Sequence, residues 1–366
     1  MVTLLDSTPP PKPNLALKVT PDHRIYIDEI PYPTARPDEA IVHVKATGIC
    51  GSDVKFWKSG GIGDYTITSD LILGHESSGI VLSVGSDVTT LKPGDRVSVE
   101  PGVSCAACGH CKTGRYNLCP DVRFCGTPPT HGTLARYIAH KASYLFKIPD
   151  TMPFATAALV EPISVALGGI QRANVVFGQP ILICGAGPIG LNALAIARAA
   201  GAYPILVTDI AQHKLDRARG MGADLTLRCS LEWDGKEVAR RVREAFGKIE
   251  VGLEPEVALE CTGAQTSFYG AGYSLRAGGV LMEIGNGHNE QMIPFQTLSM
   301  REIDVRFLFR YVNTWPMVIR MLSAGKLQGV ERMITHTFNL EDSVAAFEEA
   351  ADASSGAVKV QIVDDR

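Results

Sequence analysis

The sequence has no stretch of about 18 uninterrupted apolar residues, so no segment reads as a membrane-spanning helix. It has no long basic run either. Lys and Arg total 35 against 39 Asp and Glu, a formal net charge of −4, which argues against nucleic acid or an acidic membrane as partner. Met1 to Pro13 is polar and proline-rich and lacks the apolar centre of a signal peptide. The expected compartment is therefore the cytosol, where disulfides are scarce. The nine cysteines then read as metal ligands and buried thiols, not as a covalent framework. Internal repeats and low-complexity segments are also missing. What remains is a chain of 366 residues, 45% hydrophobic, long enough for two domains with sizeable cores.

The organisation changes once along the chain. Met1 to Pro13 reads as a loose tail. From Leu15 to about Pro153, short apolar runs such as Ala40-Ile-Val-His-Val-Lys45, Gly79-Ile-Val-Leu-Ser-Val84 and Arg96-Val-Ser-Val99 are broken by glycine and proline turns, which predicts a mostly β domain. Beyond Ala155, strand candidates at 181–184, 205–208, 225–227, 257–260, 280–284 and 303–308 alternate with helical stretches. One of these is Gly235 to Phe246, with Val238, Val242 and Phe246 at helical spacing. Six strands with intervening helices predict an α/β, doubly wound parallel sheet. After Trp315, two amphipathic helices (about 315–325 and 341–351) and a final strand (358–363) are expected to return to the first domain.

The parallel-sheet half is built around Ile181 to Asp209. The apolar run Ile181-Leu-Ile-Cys184 leads into Gly185-Ala-Gly187-Pro188-Ile189-Gly190, a G-x-G-x-x-G that opens a helix. The first glycine allows a tight turn, the second lets backbone approach a pyrophosphate, and the third lets helix pack closely on strand. The helix N-terminus suits phosphate. A second strand ends at Asp209, at the spacing where dinucleotide folds place an acid on the ribose hydroxyls. A carboxylate there repels a 2′-phosphate and favours NAD over NADP.

Two groups of residues suggest metal. Cys105, Cys108, Cys111 and Cys119 read C-x2-C-x2-C-x7-C, a spacing at which four thiolates can enclose one Zn²⁺ with no place left for water. The intervening residues are small or polar, so no apolar core orders this loop otherwise. The second group is dispersed: Gly48-Ile-Cys50-Gly-Ser52-Asp53, then Gly74-His75-Glu76, then Glu161-Pro162. Each piece is weak alone, since a lone His is more often a satisfied core residue and a lone Glu more often solvated. Together, one thiolate, one imidazole and one carboxylate would hold Zn²⁺ with an open fourth position.

With these pieces in place, the chain resembles the zinc-containing medium-chain dehydrogenases, and among them the polyol dehydrogenases. The matching strings are Thr47-Gly-Ile-Cys-Gly-Ser-Asp-Val54, Leu73-Gly-His-Glu-Ser-Ser-Gly79, Gly94-Asp-Arg-Val97, Gly114-Arg-Tyr-Asn117, Glu161-Pro-Ile-Ser-Val165, Gly185-Ala-Gly-Pro-Ile-Gly190, Glu260-Cys-Thr-Gly263 and Phe309-Arg-Tyr-Val-Asn-Thr-Trp-Pro316. They cover nearly the whole chain after the tail. The resemblance implies a GroES-like β-rich catalytic domain over 14–160, completed by 310–366, and a Rossmann NAD-binding domain over 161–309, in a homotetramer. It implies catalytic zinc at Cys50, His75 and Glu76 with a water, Glu161 as alternative ligand or water-binding base, and structural zinc at Cys105, Cys108, Cys111 and Cys119. The cofactor candidates are Gly185, Gly187, Pro188, Ile189, Gly190, Asp209, Lys214, Ile284, Phe309 and Arg310. The substrate candidates are Phe56, Glu161, Arg310 and Tyr311, with Ser52 as a route for the proton. The alternative for Arg310 and Tyr311 is a structural link between the last Rossmann strand and the β domain, and for Lys214 a solvated helix residue.

The implied reaction is oxidation of a secondary hydroxyl of a sugar alcohol (L-arabinitol, xylitol or sorbitol) to a ketose with NAD. Two departures bear on it. Lys55 stands where such enzymes usually carry a histidine that helps relay protons, and Phe309 stands where arabinitol enzymes commonly carry tyrosine. Lys55 is expected to point to solvent or to cofactor phosphate. The rival readings are a zinc alcohol or amino-acid dehydrogenase of the same superfamily and a non-catalytic, crystallin-like NADPH-binding protein. Intact Cys50, His75, Glu76 and Asp209 argue against the second.

Overall fold

The structure, a computed structural model, describes residues 12–364. All but the last two residues of the expected tail over 1–13 lie outside that range. The chain divides into two compact units.

The first unit begins with the strands β1 (Asn14–Val19), β2 (Ile25–Ile30) and β3 (Glu39–Gly48). The helix α1 (Gly51–Ser59) follows β3 directly. Asp53 in its first turn accepts the backbone N–H of Cys50 at 3.0 Å, the N-cap arrangement that fixes where a helix starts. The helix stops at Gly60, whose φ of 70° suits glycine. Next come β4 (Leu71–Ile72), β5 (Glu76–Val84), β6 (Arg96–Val99), β7 (Tyr137–Lys141) and β8 (Leu145–Lys147).

The second unit holds α2 (Val160–Ala173), then β9 (Ile181–Cys184), α3 (Pro188–Ala199), β10 (Ile205–Asp209), α4 (Gln212–Gly220), β11 (Leu225–Arg228), α5 (Gly235–Gly247), β12 (Val257–Glu260), α6 (Gln265–Ser274), β13 (Val280–Glu283), β14 (Asp304–Phe307) and α7 (Trp315–Ser323). Its sheet is parallel in the order β11-β10-β9-β12-β13-β14, the doubly wound order whose direction reverses between β9 and β12. The central strands are buried on both faces, which is why Ile181–Cys184 and Val257–Glu260 read as almost continuous apolar runs. Asp234 caps α5 by accepting the N–H of Glu237 at 2.8 Å, and Ala239, Val242 and Phe246 form its buried stripe.

The chain then returns to the first unit with β15 (Ile334–Asn339), α8 (Ser343–Ala351) and β16 (Lys359–Val363). The main sheet there runs β8-β6-β5-β3-β16-β15, with β7 pairing the first half of β3. β3 is its hub: Gly48 stands opposite Glu76 on one side and Gln361 on the other. The expected α/β class, with one β-rich unit and one doubly wound unit, is what the chain adopts.

The contact division differs from the expected boundaries in two places. Ser104–Val122, which holds the four clustered cysteines, groups with the second unit. Within that unit Asn117 Nδ2 donates to the carbonyl of Phe309 at 2.6 Å, and the N–H of Asn313 donates to Tyr116 Oη at 2.8 Å. The helix α7 also stays in the second unit, and the return begins only at His336. The reason is its apolar stripe of Trp315, Val318, Ile319 and Leu322, which is buried as α7 packs on α2. Among the described residues, no helix is long and apolar enough to cross a membrane.

Candidate active site and dinucleotide turn

In the first unit, Cys50 caps α1, while His75 and Glu76 stand where the chain enters β5. Pairing of β3 with β5 brings the two segments together. One ligand atom from each of Cys50, His75 and Glu76 lies within 4.8 Å of the others. Gly74 makes the turn into this position with φ 93°, and a Cβ there would stand 2.6 Å from Leu134 Cγ. Gly48 is equally constrained, because a Cβ would lie 2.1 Å from Glu76 Oε2. A sulfur, an imidazole nitrogen and a carboxylate oxygen converging in a largely buried setting fit Zn²⁺ with one coordination position left over.

Asp53 organises two of these donors. It is fully buried. Its Oδ2 accepts the N–H of Cys50, and its Oδ1 accepts the N–H of Gly74 at 3.1 Å and lies 3.3 Å from His75 Nδ1. With Nδ1 turned to Asp53, Nε2 is the atom left for a metal. Burial alone would lower the pKa of His75, but the Asp53 carboxylate and the Cys50 side chain outweigh it and raise it well above the ordinary value. Burial works the other way on Asp53, yet His75 and the two N–H donors still hold its pKa below the ordinary value. A metal at Nε2 would take the place of the imidazole proton.

Glu76 is held by a residue that the sequence reading passed over. Lys359 Nζ lies 2.7 Å from both Glu76 oxygens and donates to the carbonyl of Ile49 at 3.1 Å. Lys359 and Glu76 are 3% and 1% exposed. Removing one partner of such a buried pair costs about 3–5 kcal/mol. The available signal was a lysine at the head of a final strand that is apolar apart from Gln361. In the sequence Asp53 belongs to the dispersed metal group with no role of its own, although an acid in the first turn of a helix is a capping signal.

Of the other candidates in this unit, Ser52 and Lys55 are half-buried, and Phe56 is 4% exposed within the apolar core. In the second unit, Glu161 is 5% exposed in the first turn of α2. Tyr311 is 3% exposed with its ring 4.8 Å from that of Trp315. Arg310 has φ 59° and lays its guanidinium 4.5 Å from the centre of the Phe309 ring, which is 44% exposed.

The four-cysteine loop is a second donor set. Cys105, Cys108, Cys111 and Cys119 have ligand atoms within 4.8 Å of one another. The Sγ separations are 3.5 Å for Cys108–Cys111 and 4.0 Å for Cys105–Cys111. Four sulfurs at about 2.3 Å from a tetrahedral Zn²⁺ stand roughly 3.8 Å apart, so these separations fit. The N–H groups of Ala107 and Cys108 pull the Cys105 thiol down to about 6, and a hydrogen bond from Ser104 lowers Cys111. Burial pushes Cys119 up to about 11, an opposition that a shared cation would resolve.

Gly185 makes a tight turn and Gly190 a close approach within the dinucleotide turn. Gly185 has φ 96°. Gly187 faces open space, whereas a Cβ on Gly190 would fall 1.8 Å from the carbonyl oxygen of Gly185. Pro188 and Ile189 open α3, with Pro188 in the first turn, where its missing N–H costs no bond. Asp209 Oδ2 accepts the N–H of Ala186 at 2.8 Å, and Oδ1 that of Ala211 at 2.9 Å. Each carboxylate oxygen keeps a lone pair for a further donor. A cavity of about 280 Å³ opens here, lined by Asp209, Lys214, Cys229, Trp233 and Thr262 among others. Ile284 packs against α2 at Gly169, where a Cβ would meet its Cδ1 at 2.4 Å.

Comparison with known proteins gives the family. Residues 36–150 match the alcohol dehydrogenase GroES-like domain, and residues 188–324 match the zinc-binding dehydrogenase family. The chain is 45% identical over 362 residues to an L-arabinitol 4-dehydrogenase of Aureobasidium melanogenum, covering 96% of this chain and 97% of that protein. It is 43% identical over 335 residues to the sorbitol dehydrogenase of Homo sapiens, covering 92% of each. A solved Escherichia coli oxidoreductase/dehydrogenase of unknown specificity superposes with a TM-score of 0.88 at 32% identity, covering 96% of this chain and 99% of that one. The chain therefore belongs to the zinc-binding dehydrogenases that carry a GroES-like alcohol dehydrogenase domain, and is an oxidoreductase of that family.

Proposed function

We propose that this chain is an NAD-dependent zinc polyol dehydrogenase that oxidises a secondary hydroxyl of a sugar alcohol to a ketose. The observation that carries the reading is the convergence of Cys50, His75 and Glu76 within 4.8 Å of one another. The L-arabinitol and sorbitol dehydrogenases to which the chain is similar support the substrate class. Cys50, His75 and Glu76 would hold a zinc ion that would supply Lewis acidity toward an alcohol oxygen, and a bound nicotinamide would supply the hydride acceptor.

The chain's own residues do the rest. Asp53 fixes the His75 ring, and Asp209 receives the ribose hydroxyls and disfavours a 2′-phosphate. Ser52 carries the proton onward, or Glu161 does so through water, while Arg310 and Tyr311 hydrogen-bond the remaining substrate hydroxyls. Phe309 lacks the hydroxyl that a tyrosine would offer there. A site without such a partner discriminates less, so the range is broad and includes sorbitol and xylitol alongside L-arabinitol. The cysteine loop holds a second, structural zinc.

The test is initial rates of NADH formation with sorbitol, xylitol, L-arabinitol, galactitol and ribitol. The reading fails if no polyol is turned over. The broad range fails if L-arabinitol is preferred to both sorbitol and xylitol by a hundredfold or more, about 2.7 kcal/mol of transition-state discrimination.

A further inference from the structure

The Glu76 carboxylate already has a cation beside it. Lys359 reaches both of its oxygens at 2.7 Å from the last strand, 283 residues away in sequence. The same ammonium donates to the carbonyl of Ile49, the residue before Cys50. One buried group thus ties the carboxylate of one donor to the backbone next to another. Lys359 and Gln361, on one face of the strand, are buried polar residues, whereas Val360 and Ile362 on the other face are buried and apolar. A buried ammonium is tolerated only when it is paired, and Glu76 is its acidic partner. Gly48 leaves the space on the other side of the carboxylate.

We propose that Lys359 is a positioning residue of the metal centre. It is an internal cation that neutralises and orients the Glu76 carboxylate while the site is metal-free, and it competes with a metal for the same oxygens. The proposal rests on the reading of Cys50, His75 and Glu76 as a zinc site. Its physical basis is that an ammonium in contact with the Glu76 oxygens repels a divalent cation drawn to them. Two consequences separate it from a merely structural ion pair. The metal-free chain leans on Lys359 more than the zinc-loaded chain does. Loss of the positive charge also makes zinc bind more tightly.

The test uses the full chain, as purified with zinc and after treatment with a chelator, with zinc alone added back. Lys359→Gln keeps a hydrogen-bond donor without the charge, Lys359→Met removes both, and Lys359→Arg keeps the charge. For Lys359→Met, the fall in Tm is expected to be at least twice as large in the chelated protein as in the loaded one. For Lys359→Gln, the free-zinc concentration that half-fills the Cys50 site, counted in a graded chelator series as the zinc per chain that is lost in Cys50→Ser, is expected to fall several-fold below that of the native chain. Lys359→Arg should stay within twofold of native. Equal Tm losses with and without zinc, or a zinc midpoint in Lys359→Gln that is unchanged or raised, would overturn the proposal. If Lys359→Met does not fold, the Lys359→Gln midpoint alone decides. Cys50→Ser run in parallel isolates the underlying reading. If it keeps the native zinc midpoint, the metal site itself is misassigned. If it loses that binding while Lys359→Gln is unmoved, only the role of Lys359 falls.

Discussion

Asp53 Oδ1 lies 3.3 Å from His75 Nδ1, with Asp53 fully buried and the His75 side chain 9% exposed. The same carboxylate fixes the backbone of Cys50 and of Gly74. One buried acid thus sets the orientation of two of the three candidate ligands. Asp53→Asn keeps the shape and loses the charge, and should weaken zinc at this site by about 10–100-fold, the usual range for such outer partners. Zinc retained against a graded chelator series measures it, and a loss under threefold would count against the assignment.

The two donor sets should separate on mutation. Cys50→Ser is expected to abolish turnover while leaving Tm nearly unchanged. Cys108→Ser should chiefly lower Tm, because that loop has no apolar core and takes its order from the metal. Elemental analysis of active protein should find two zinc ions per chain. One or none in fully active material would contradict the two-site reading.

Cofactor choice should follow Asp209. With its carboxylate anchored by the N–H groups of Ala186 and Ala211, its charge sits at the end of β10 beside the glycine turn. Asp209→Ser should relax discrimination against NADP by removing charge repulsion and ribose hydrogen bonds. The ratio of kcat/KM for the two cofactors reports this. A native protein that prefers NADP would refute it.

A pH effect should arise from β13. Glu283 stands in register with Glu260 on β12. Burial first, and then the Glu260 carboxylate, push the Glu283 carboxyl up to about 9 from an ordinary 4.5. A group raised in the folded state stabilises it below the unfolded value, and that stability is lost as pH rises toward the folded one. Native Tm relative to Glu283→Gln should therefore be highest near pH 5 and decline steadily up to about pH 9. A constant Tm difference across that range would show that the pair does not titrate as described.

The dinucleotide turn and the cysteine loop were legible in the sequence because their parts are neighbours in it. Gly185, Gly187 and Gly190 act within one turn, and the approach of Gly190 to the Gly185 carbonyl is a contact five residues long. Four cysteines between positions 105 and 119 need only a local loop to converge. The order of the parallel sheet was also readable as a class, since strands buried on both faces leave apolar runs separated by helical periods.

The candidate catalytic site was legible only as scattered pieces. Cys50 and the His75–Glu76 pair meet because β3 and β5 pair antiparallel with Gly48 opposite Glu76, a register that no local spacing encodes. The grouping of α7 with the second unit was likewise a packing outcome: its stripe is amphipathic wherever it docks, and only the tertiary fold supplied α2 as the surface to cover it. Lys359 is the clearest case. In sequence it is the one charge in a short final strand, and it becomes the partner of Glu76 only because β16 pairs with the far half of β3. Sequence fixes contacts that close over a few residues, whereas a buried charge pair 283 residues apart is set by strand order and register, which are properties of the whole sheet.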